Sequence, residues 1–293
     1  MPGNFFAAAF LRGMACLPLA AIRVLARAVA TVLRNSHNKH RRIAAINIAL
    51  THPALDAVAQ KALVDRSLEQ SLCTSLEMPL VWHHDNAWIE KKILRVEADQ
   101  HMRDALAQGR GVLLICPHIG NWEVLGRYLP RYAPTTSLYQ PPRYSALETL
   151  VKNGRERSGA ILVPTSQRGV AQLLKALQRG EIVGMLPDQV PKGSGGVFAP
   201  FFGVPAYTMT LLHKLLQRTG CRAVMGYALR EDDGFAIIFK AAPAALYNED
   251  LQQSATALNQ LIESATTEDP GQYQWAYKRF KVQPDGSNPY ATE

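Results

Sequence analysis

From residue 111 onward, short apolar segments alternate with longer segments of helical character, and this alternation restricts the possible folds more than any other feature. The segments typical of buried strands are 111–116, 135–139, 160–163, 181–186, 222–229 and 235–240. The segments typical of helices are 121–129, 145–157, 167–179, 206–218 and 250–267. Such alternation predicts an α/β fold with a mostly parallel central sheet flanked by helices. A turn sequence at 231–234 predicts that the last two strands form a hairpin.

The rest of the chain divides into two further regions. Residues 35–110 have helical patterns with few strand signals, and 47% of the 293 residues are hydrophobic. This content is enough for the core of one large domain. We therefore predict an N-terminal helix at 1–34, a helical region at 35–110 and an α/β core at 111–293, with one catalytic domain over 35–293.

The N-terminal stretch 5–33 is apolar but interrupted by arginines. Its longest run without charge, 13–22, is shorter than the roughly 20 residues that a spanning helix needs. Arg12, Arg23, Arg27 and Arg34 fall within a sector of about 60° on a helix. This predicts a helix in the membrane interface whose arginines reach lipid phosphates. A spanning helix with arginines extending to the interfaces is the alternative.

Charge and cysteine usage restrict the partners only in part. The formal net charge is +8, which favours an anionic membrane, a phosphorylated lipid, nucleic acid or an acidic carrier protein without choosing among them. The four cysteines are scattered, with no Cys-x-x-Cys metal or redox motif, and scattered thiols are typical of a reducing compartment.

His118 lies just beyond the apolar strand 111–116, where open α/β sheets bind their ligands. A histidine with a carboxylate partner can act as a general base on a hydroxyl. Two acids are candidates for that partner. Glu123 lies five residues on, about 140° away on a regular helix unless the chain bends at Gly120. Asp188 follows the strand 181–186 and should lie at the same rim of the sheet.

Three sequence blocks carry a resemblance to a known family. His-Ile-Gly-Asn-Trp-Glu at 118–123 resembles the His-x-x-x-x-Asp/Glu signature of the late acyltransferases of lipid A biosynthesis. Pro-Asp-Gln at 187–189, with Val-Phe-Ala-Pro-Phe-Phe-Gly at 197–203, is similar to a second block of that family. Gln-Tyr-Gln-Trp at 272–275, with Lys-Arg-Phe-Lys at 278–281, is similar to its C-terminal block. The blocks occur in the family order.

The resemblance implies a sheet of the glycerol-phosphate acyltransferase type and an N-terminal helix at the cytoplasmic face of the bacterial inner membrane. It implies transfer of a fatty acyl chain from acyl carrier protein to a hydroxyl of a phosphorylated lipid A precursor. Acyl carrier protein and the lipid are the expected partners. We expect no metal, no cofactor beyond the acyl-carrier co-substrate and no nucleic-acid partner.

The expected catalytic residues are His118, Glu123 and Asp188, with Glu123 the first choice for orienting His118 and Asp188 the alternative. Backbone N–H groups after Gly120 are expected to stabilise the oxyanion. Arg155 and Arg157 form an Arg-x-Arg pattern that is similar to that of the family and suited to binding phosphate. Arg143 is expected to supply, from a shifted position, a positive charge that the family carries nearby. The complete set of expected substrate-binding residues is Asn121, Arg143, Arg155, Arg157, Gln189, Lys278 and Arg279.

Three rival functions follow from the same residues. One is an acyltransferase that acts on a mannoside or lysophospholipid acceptor. Another is a Ser/His/Asp hydrolase, but the sequence lacks the Gly-x-Ser-x-Gly motif that such an enzyme needs. The last is a non-enzymatic protein that binds a membrane surface, which predicts no effect of His118→Ala.

Overall fold

The computed structural model of the chain describes residues 13–34, 36, 38–141 and 145–291. The described helices are α1 (Leu19–Leu33), α2 (Lys39–Thr51), α3 (Ala57–His83), α4 (Asn86–Lys92), α5 (Gln100–Ala107), α6 (Trp122–Tyr128), α7 (Ser145–Glu156), α8 (Gln167–Gln178), α9 (Leu211–Thr219) and α10 (Leu251–Thr266). The strands are β1 (Ile93–Glu97), β2 (Val112–Ile115), β3 (Thr135–Tyr139), β4 (Ile161–Pro164), β5 (Ile182–Met185), β6 (Gly196–Phe201), β7 (Val204–Met209), β8 (Arg222–Glu231) and β9 (Gly234–Ala241).

Seven strands form the central sheet in the order β1-β9-β8-β2-β5-β3-β4. Neighbouring strands are parallel except β8 and β9, which form an antiparallel hairpin. Strands β6 and β7 form a separate antiparallel hairpin. The predicted α/β fold, its mostly parallel sheet and the hairpin turn at 231–234 are thus confirmed.

Both faces of the sheet are covered, which explains the continuous apolar sequence of its strands. In β2, Leu113 and Ile115 pack into one core cluster, while Val112 and Leu114 pack into the other. Helices α8, α9 and α10 contribute to the first cluster, and helices α1, α5 and α6 contribute to the second.

Two features of the fold differ from the prediction. The helical region 35–110 contains strand β1, which pairs with β9 in parallel at the edge of the sheet. Its residues are exposed or half-buried and include charged side chains, so it lacks the apolar run that marks the inner strands. The predicted helix 206–218 begins only at Leu211, because 204–209 form β7 after a tight turn at Phe202 and Gly203.

The arginine stripe of the N-terminal helix faces outward only in part. Arg23 is buried, its Nε lies 2.7 Å from Oε1 of Glu77 in α3, and its guanidinium also donates to the carbonyl of Gly234. Arg34 contacts Glu69 of the same helix at 3.1 Å. Arg23 and Arg34 therefore attach α1 to α3, while Arg27 is exposed. Arg12 lies outside the described residues.

Apart from Arg27, the outward face of α1 is mainly apolar. Val24 is 60% exposed and Val32 is 76% exposed, and Leu25 accompanies them on the surface. Within the described ranges, no helix combines the length and the apolar character that crossing a bilayer requires.

Candidate active site

The sheet brings His118 and Asp188 together. Ile115 of β2 is the register partner of Met185 of β5, and each functional residue follows its strand by three positions. Nδ1 of His118 lies 2.6 Å from Oδ1 of Asp188, and the backbone N–H of His118 donates to Oδ2 at 2.8 Å. Two hydrogen bonds to the two carboxylate oxygens fix the histidine relative to the acid.

This geometry defines the state of the dyad. Asp188 is buried, and burial alone would raise its pKa, but the charge and hydrogen bonds of His118 outweigh burial and keep that pKa below its ordinary value. An ionised carboxylate only accepts hydrogen bonds, so Nδ1 carries a proton, and Nε2 is the nitrogen that can act as the base. Trp122 packs edge-on against the imidazole, with the ring centroids 4.8 Å apart.

The side-chain amide of Gln189 contacts Nε2 of His118, the nitrogen that can act as the base. Its Nε2 lies 3.2 Å from Nε2 of His118 and also donates to Oε1 of Gln274 at 3.2 Å. The position that a reacting hydroxyl must take is therefore held by a neutral amide. The predicted contribution of Gln189 to the site agrees with this position, while its contact with substrate stays a prediction.

The loop after His118 is fixed by a sharp turn. Gly120 has φ of +61°, and a Cβ there would clash with the carbonyl oxygen of Ala228 in β8. The hydroxyl of Thr74 donates to the carbonyl of Gly120 at 2.9 Å. The C-terminal block pairs with the other side of the loop, because Gln274 N–H donates to the carbonyl of His118 at 3.0 Å.

The expected oxyanion donors are partly engaged elsewhere. The N–H of Gly120 donates to the carbonyl of Gln272 at 3.0 Å, and the N–H of Asn121 donates to that of Ala228 at 2.8 Å. These bonds fix the loop, so the prediction is wrong for the N–H of Asn121, the first group after Gly120.

Glu123 is not the orienting partner of His118, and the first choice made from the sequence was wrong. Its Oε2 accepts from Nε1 of Trp82 at 2.8 Å and from Nε of Arg155 at 2.9 Å, and within the described structure these two side chains are its hydrogen-bond partners. Although Gly120 does bend the chain, helix α6 points the carboxylate toward α3 and α7.

Two expected substrate-binding residues have structural positions. Asn121 is fully buried, caps α6 by accepting from the N–H of Val124, and donates to Glu77 at 3.0 Å. Arg279 is buried, donates to the carbonyl of Tyr207 at 2.7 Å, and stacks over Phe201. Burial lowers the pKa of Arg279. Neither side chain is available to a ligand in this arrangement.

The remaining expected residues are distributed unevenly. Arg155 lines a cavity next to His118 while holding Glu123. Arg157 is exposed just beyond α7, and Lys278 is half-buried over the ring of Tyr290. Arg143 lies outside the described residues.

A buried ionic cluster that the sequence analysis missed supports the loop. Glu77 of α3 is fully buried and contacts Arg23, Arg230 of β8 and Asn121. Burial alone would raise the pKa of Glu77, but the two arginines outweigh it, so the pKa lies below its ordinary value. The cluster joins α1, α3, β8 and the start of α6.

The other missed residues belong to the C-terminal block and to α3. Burial and the neighbouring Asp188 raise the pKa of the Tyr273 phenol, which therefore stays protonated beside the dyad. Gln274 holds Gln189, and Trp82 holds Glu123. The signal in the sequence was the Gln-Tyr-Gln-Trp block itself, which carried only the family resemblance but whose residues fix the catalytic loop.

Two cavities meet at Trp122. One, of about 160 Å³, touches His118 and has apolar walls that include Leu138, Leu162 and Leu186. The other, of about 260 Å³, reaches Gln189 and has mainly hydroxyl and amide walls. In the part of the chain that the structure describes, no group of three or more His, Cys, Asp or Glu side chains is arranged to hold a metal ion.

The fold and the dyad define an α/β enzyme centre in which a histidine can remove a proton from a hydroxyl. Comparison with known proteins gives the kind of enzyme. A family model for bacterial lipid A biosynthesis acyltransferases matches residues 2–282. The chain belongs to that family and is an acyltransferase.

Individual relatives agree with the family. The lipid A biosynthesis lauroyltransferase of Escherichia coli (strain K12) is 27% identical, over 82% of this chain and 78% of that protein. The palmitoleoyltransferase of lipid A biosynthesis from the same organism is 25% identical, over 93% and 89%. A phosphatidylinositol mannoside acyltransferase of Mycobacterium tuberculosis (strain ATCC 25618 / H37Rv) is 29% identical over about half of each chain, 49% and 46%.

Proposed function

We propose that this enzyme transfers a fatty acyl chain from acyl carrier protein to a hydroxyl of a phosphorylated lipid A precursor. The observation that carries the proposal is the His118–Asp188 dyad, whose buried acid leaves Nε2 as a base in a site next to an apolar cavity. The lauroyl and palmitoleoyl groups in the names of the relatives support a fatty acyl donor.

Each proton in the reaction has a defined position. Nε2 of His118 takes the proton of the acceptor hydroxyl while the oxygen attacks the thioester carbonyl, and the charged ring is stabilised by Asp188. The tetrahedral intermediate then collapses, the C–S bond breaks, and the imidazolium returns the proton to the leaving thiolate. The acyl chain ends as an ester on the acceptor, and the carrier ends as a free thiol.

Gln189 acquires two roles in this scheme. The acceptor hydroxyl must displace its amide from Nε2 of His118 before it can react. The displaced amide N–H is then close enough to the same centre to donate to the developing oxyanion. This role replaces the backbone donors of Gly120 and Asn121, which are already bonded.

The cavity lined by Leu138, Leu162 and Leu186 is the proposed site for the part of the acyl chain next to the carbonyl. Burial of methylene groups against leucines is favourable by about 0.8 kcal/mol each. The ion pair of Glu123 with Arg155 forms part of the same wall, so it shapes the cavity rather than the base.

We further propose that the reaction occurs at the cytoplasmic face of the bacterial inner membrane. A soluble carrier donates and a membrane lipid accepts, so the enzyme must work at their boundary. The apolar outward face of α1, with Val24, Leu25 and Val32, supports contact with the membrane surface. The phosphates of the acceptor are the proposed ligands of Arg157 and Lys278, which lie outside the dyad.

A transfer assay tests the proposal. Purified full-length protein is incubated with lauroyl- or myristoyl-carrier protein and the tetra-acylated lipid A precursor, and mass spectrometry measures the product. We expect a gain of one acyl chain with the unaltered protein and none above background with His118→Ala. Transfer that survives in His118→Ala would contradict the mechanism.

The choice of acceptor is tested in the same assay. The mannoside acyltransferase among the relatives makes a phosphatidylinositol mannoside the matched alternative acceptor. Acylation of that lipid, with no acylation of the lipid A precursor, would retain the dyad chemistry and exclude the proposed acceptor.

A further inference from the structure

The polar cavity differs from the leucine-lined one in the kind of polar side chain on its walls, with neutral hydroxyls and amides where the other has Glu123, Arg127 and Arg155. Its hydroxyl and amide side chains are Ser71, Thr74, Ser75, Gln189, Gln272 and Gln274. Among its described lining residues none is a carboxylate, lysine or arginine. An acyl chain here would remove water from these polar side chains without offering them hydrogen bonds in exchange, which is unfavourable. The cavity is therefore suited to a slender ligand rich in amides.

A basic cavity lies on the same helical turn as one wall of the polar cavity. His40 lines the polar cavity from the first turn of α2, and the basic cavity, of about 480 Å³, is lined by Lys39, Arg41 and Arg42 of the same turn. Two of these cations have other contacts: Arg41 lies 3.5 Å from Asp65, and Arg42 donates to the carbonyl of Tyr290. Neutral amides beside the dyad and cations at the start of α2 are therefore found in two cavities that border the same helical turn.

We infer that the polar cavity receives the phosphopantetheine arm of the acyl donor, with the thioester at His118 and the phosphodiester near Lys39. This inference rests on the proposed function. The arm is narrow and carries two amides that match the hydroxyl and amide walls, and it ends in an anion that matches the basic cavity. The acceptor is a disaccharide bearing several acyl chains, too bulky for a cavity of about 260 Å³.

Filling the cavity tests the inference. Ser75 is an exposed position of α3 on the cavity wall, so Ser75→Trp narrows the cavity without entering the core. The matched control is Val58→Trp, on the same helix and 78% exposed, outside the described lining of the cavity. We expect Ser75→Trp to raise KM for lauroyl-carrier protein at least tenfold with KM for the acceptor within twofold, and Val58→Trp to change neither.

The alternative occupant has its own outcome. A rise of KM for the acceptor alone would assign the cavity to the acceptor and overturn the inference, as would no change in either KM. Lys39→Glu provides an independent charge test. It should raise KM for the carrier-linked donor severalfold at low salt. The effect should be smaller at ~0.5 M salt, because salt screens the attraction between Lys39 and the phosphodiester.

A binding measurement separates this inference from the proposed function. Saturation-transfer NMR with free 4′-phosphopantetheine should detect binding to the unaltered protein and to Val58→Trp, and at least tenfold weaker binding to Ser75→Trp. If the transfer assay fails while this pattern holds, the proposed acceptor is wrong and the arm site stands. If phosphopantetheine binds all three proteins equally, or none, the inference is overturned.

Discussion

The sequence offered two candidates, Asp188 and Glu123, for the acid that orients His118. The sequence placed His118 and Asp188 beyond two apolar strands, but it did not establish that β2 and β5 are neighbours in the sheet. That order decides the partner, because parallel neighbours in register end at the same edge. The distance along the chain favoured Glu123, and the sheet favours Asp188.

We predict that Asp188→Asn lowers kcat by about 10²- to 10⁴-fold, because an amide partner no longer fixes the proton on Nδ1 or stabilises the charged ring. The melting temperature should change little, since the amide retains the size of the acid. Steady-state kinetics and thermal unfolding check both parts. Activity within threefold of the unaltered enzyme would exclude Asp188 as the orienting acid.

Glu123→Gln should have a smaller effect, because Glu123 acts through Arg155 on the cavity wall. We expect the activities of Glu123→Gln and Arg155→Met to fall by similar factors and the double variant to be no worse than either, as for two residues in one contact. A double-mutant cycle measures this coupling. Independent, multiplicative losses would show that Glu123 acts on the reaction without Arg155.

At the scale of elements, the inner strands and the apolar edge strand β4 were predictable, whereas β1, β6 and β7 were not. Strands β2 and β5 are fully buried and read as continuous apolar runs. Strand β1 is partly exposed at the sheet edge, and β6 and β7 form a hairpin outside the sheet, so neither has the burial that produces such a run. The same limit applies to the C-terminal block, whose pairing with the His118 loop is a long-range contact.

The Glu77 cluster joins elements that are distant in sequence, and its removal should affect stability. Glu77→Gln leaves Arg23 and Arg230 buried without a carboxylate, so we expect a loss of about 3 kcal/mol in the free energy of unfolding. Glu69→Gln on the same helix is the control, because its partner Arg34 is 38% exposed and such pairs contribute about 0–1 kcal/mol. Urea unfolding measures both changes.

The depressed pKa of Glu77 gives this prediction a pH dependence. A carboxylate whose pKa is lower in the folded than in the unfolded state stabilises the fold at pH values above its ordinary pKa of 4.5. That stabilisation is lost as the pH falls below this value. The difference between the unaltered protein and Glu77→Gln should therefore be complete at pH 7 and shrink below about pH 4.5. An equal difference at pH 7 and at pH 3 would contradict this assignment.

At the scale of the whole molecule, the sequence predicted the helix α1 but not which of its side chains the protein itself would bind. Four arginines on one side of an apolar segment are typical of a helix whose cations reach lipid phosphates. The positions of Glu77 and Glu69 on α3 could not be known from this pattern, and they turn Arg23 and Arg34 inward. Val24 and Val32 are consequently exposed beside Arg27, and we propose this mainly apolar side of α1, rather than the whole arginine stripe, as the membrane contact.

This orientation predicts which substitutions release the enzyme from a membrane. Val24→Glu with Val32→Glu places two charges on the outward face of α1, and burying either charge in the lipid interface is costly. We expect the double variant to partition at least tenfold less onto vesicles of inner-membrane lipid composition, measured by flotation, with an unchanged melting temperature. Val58→Glu, at a position 78% exposed on α3, is the matched control and should bind vesicles normally.

If the arginines were the membrane contact instead, Arg27→Glu would release the protein and the valine variant would not. Equal binding by all of these proteins would place the membrane contact outside the described part of α1.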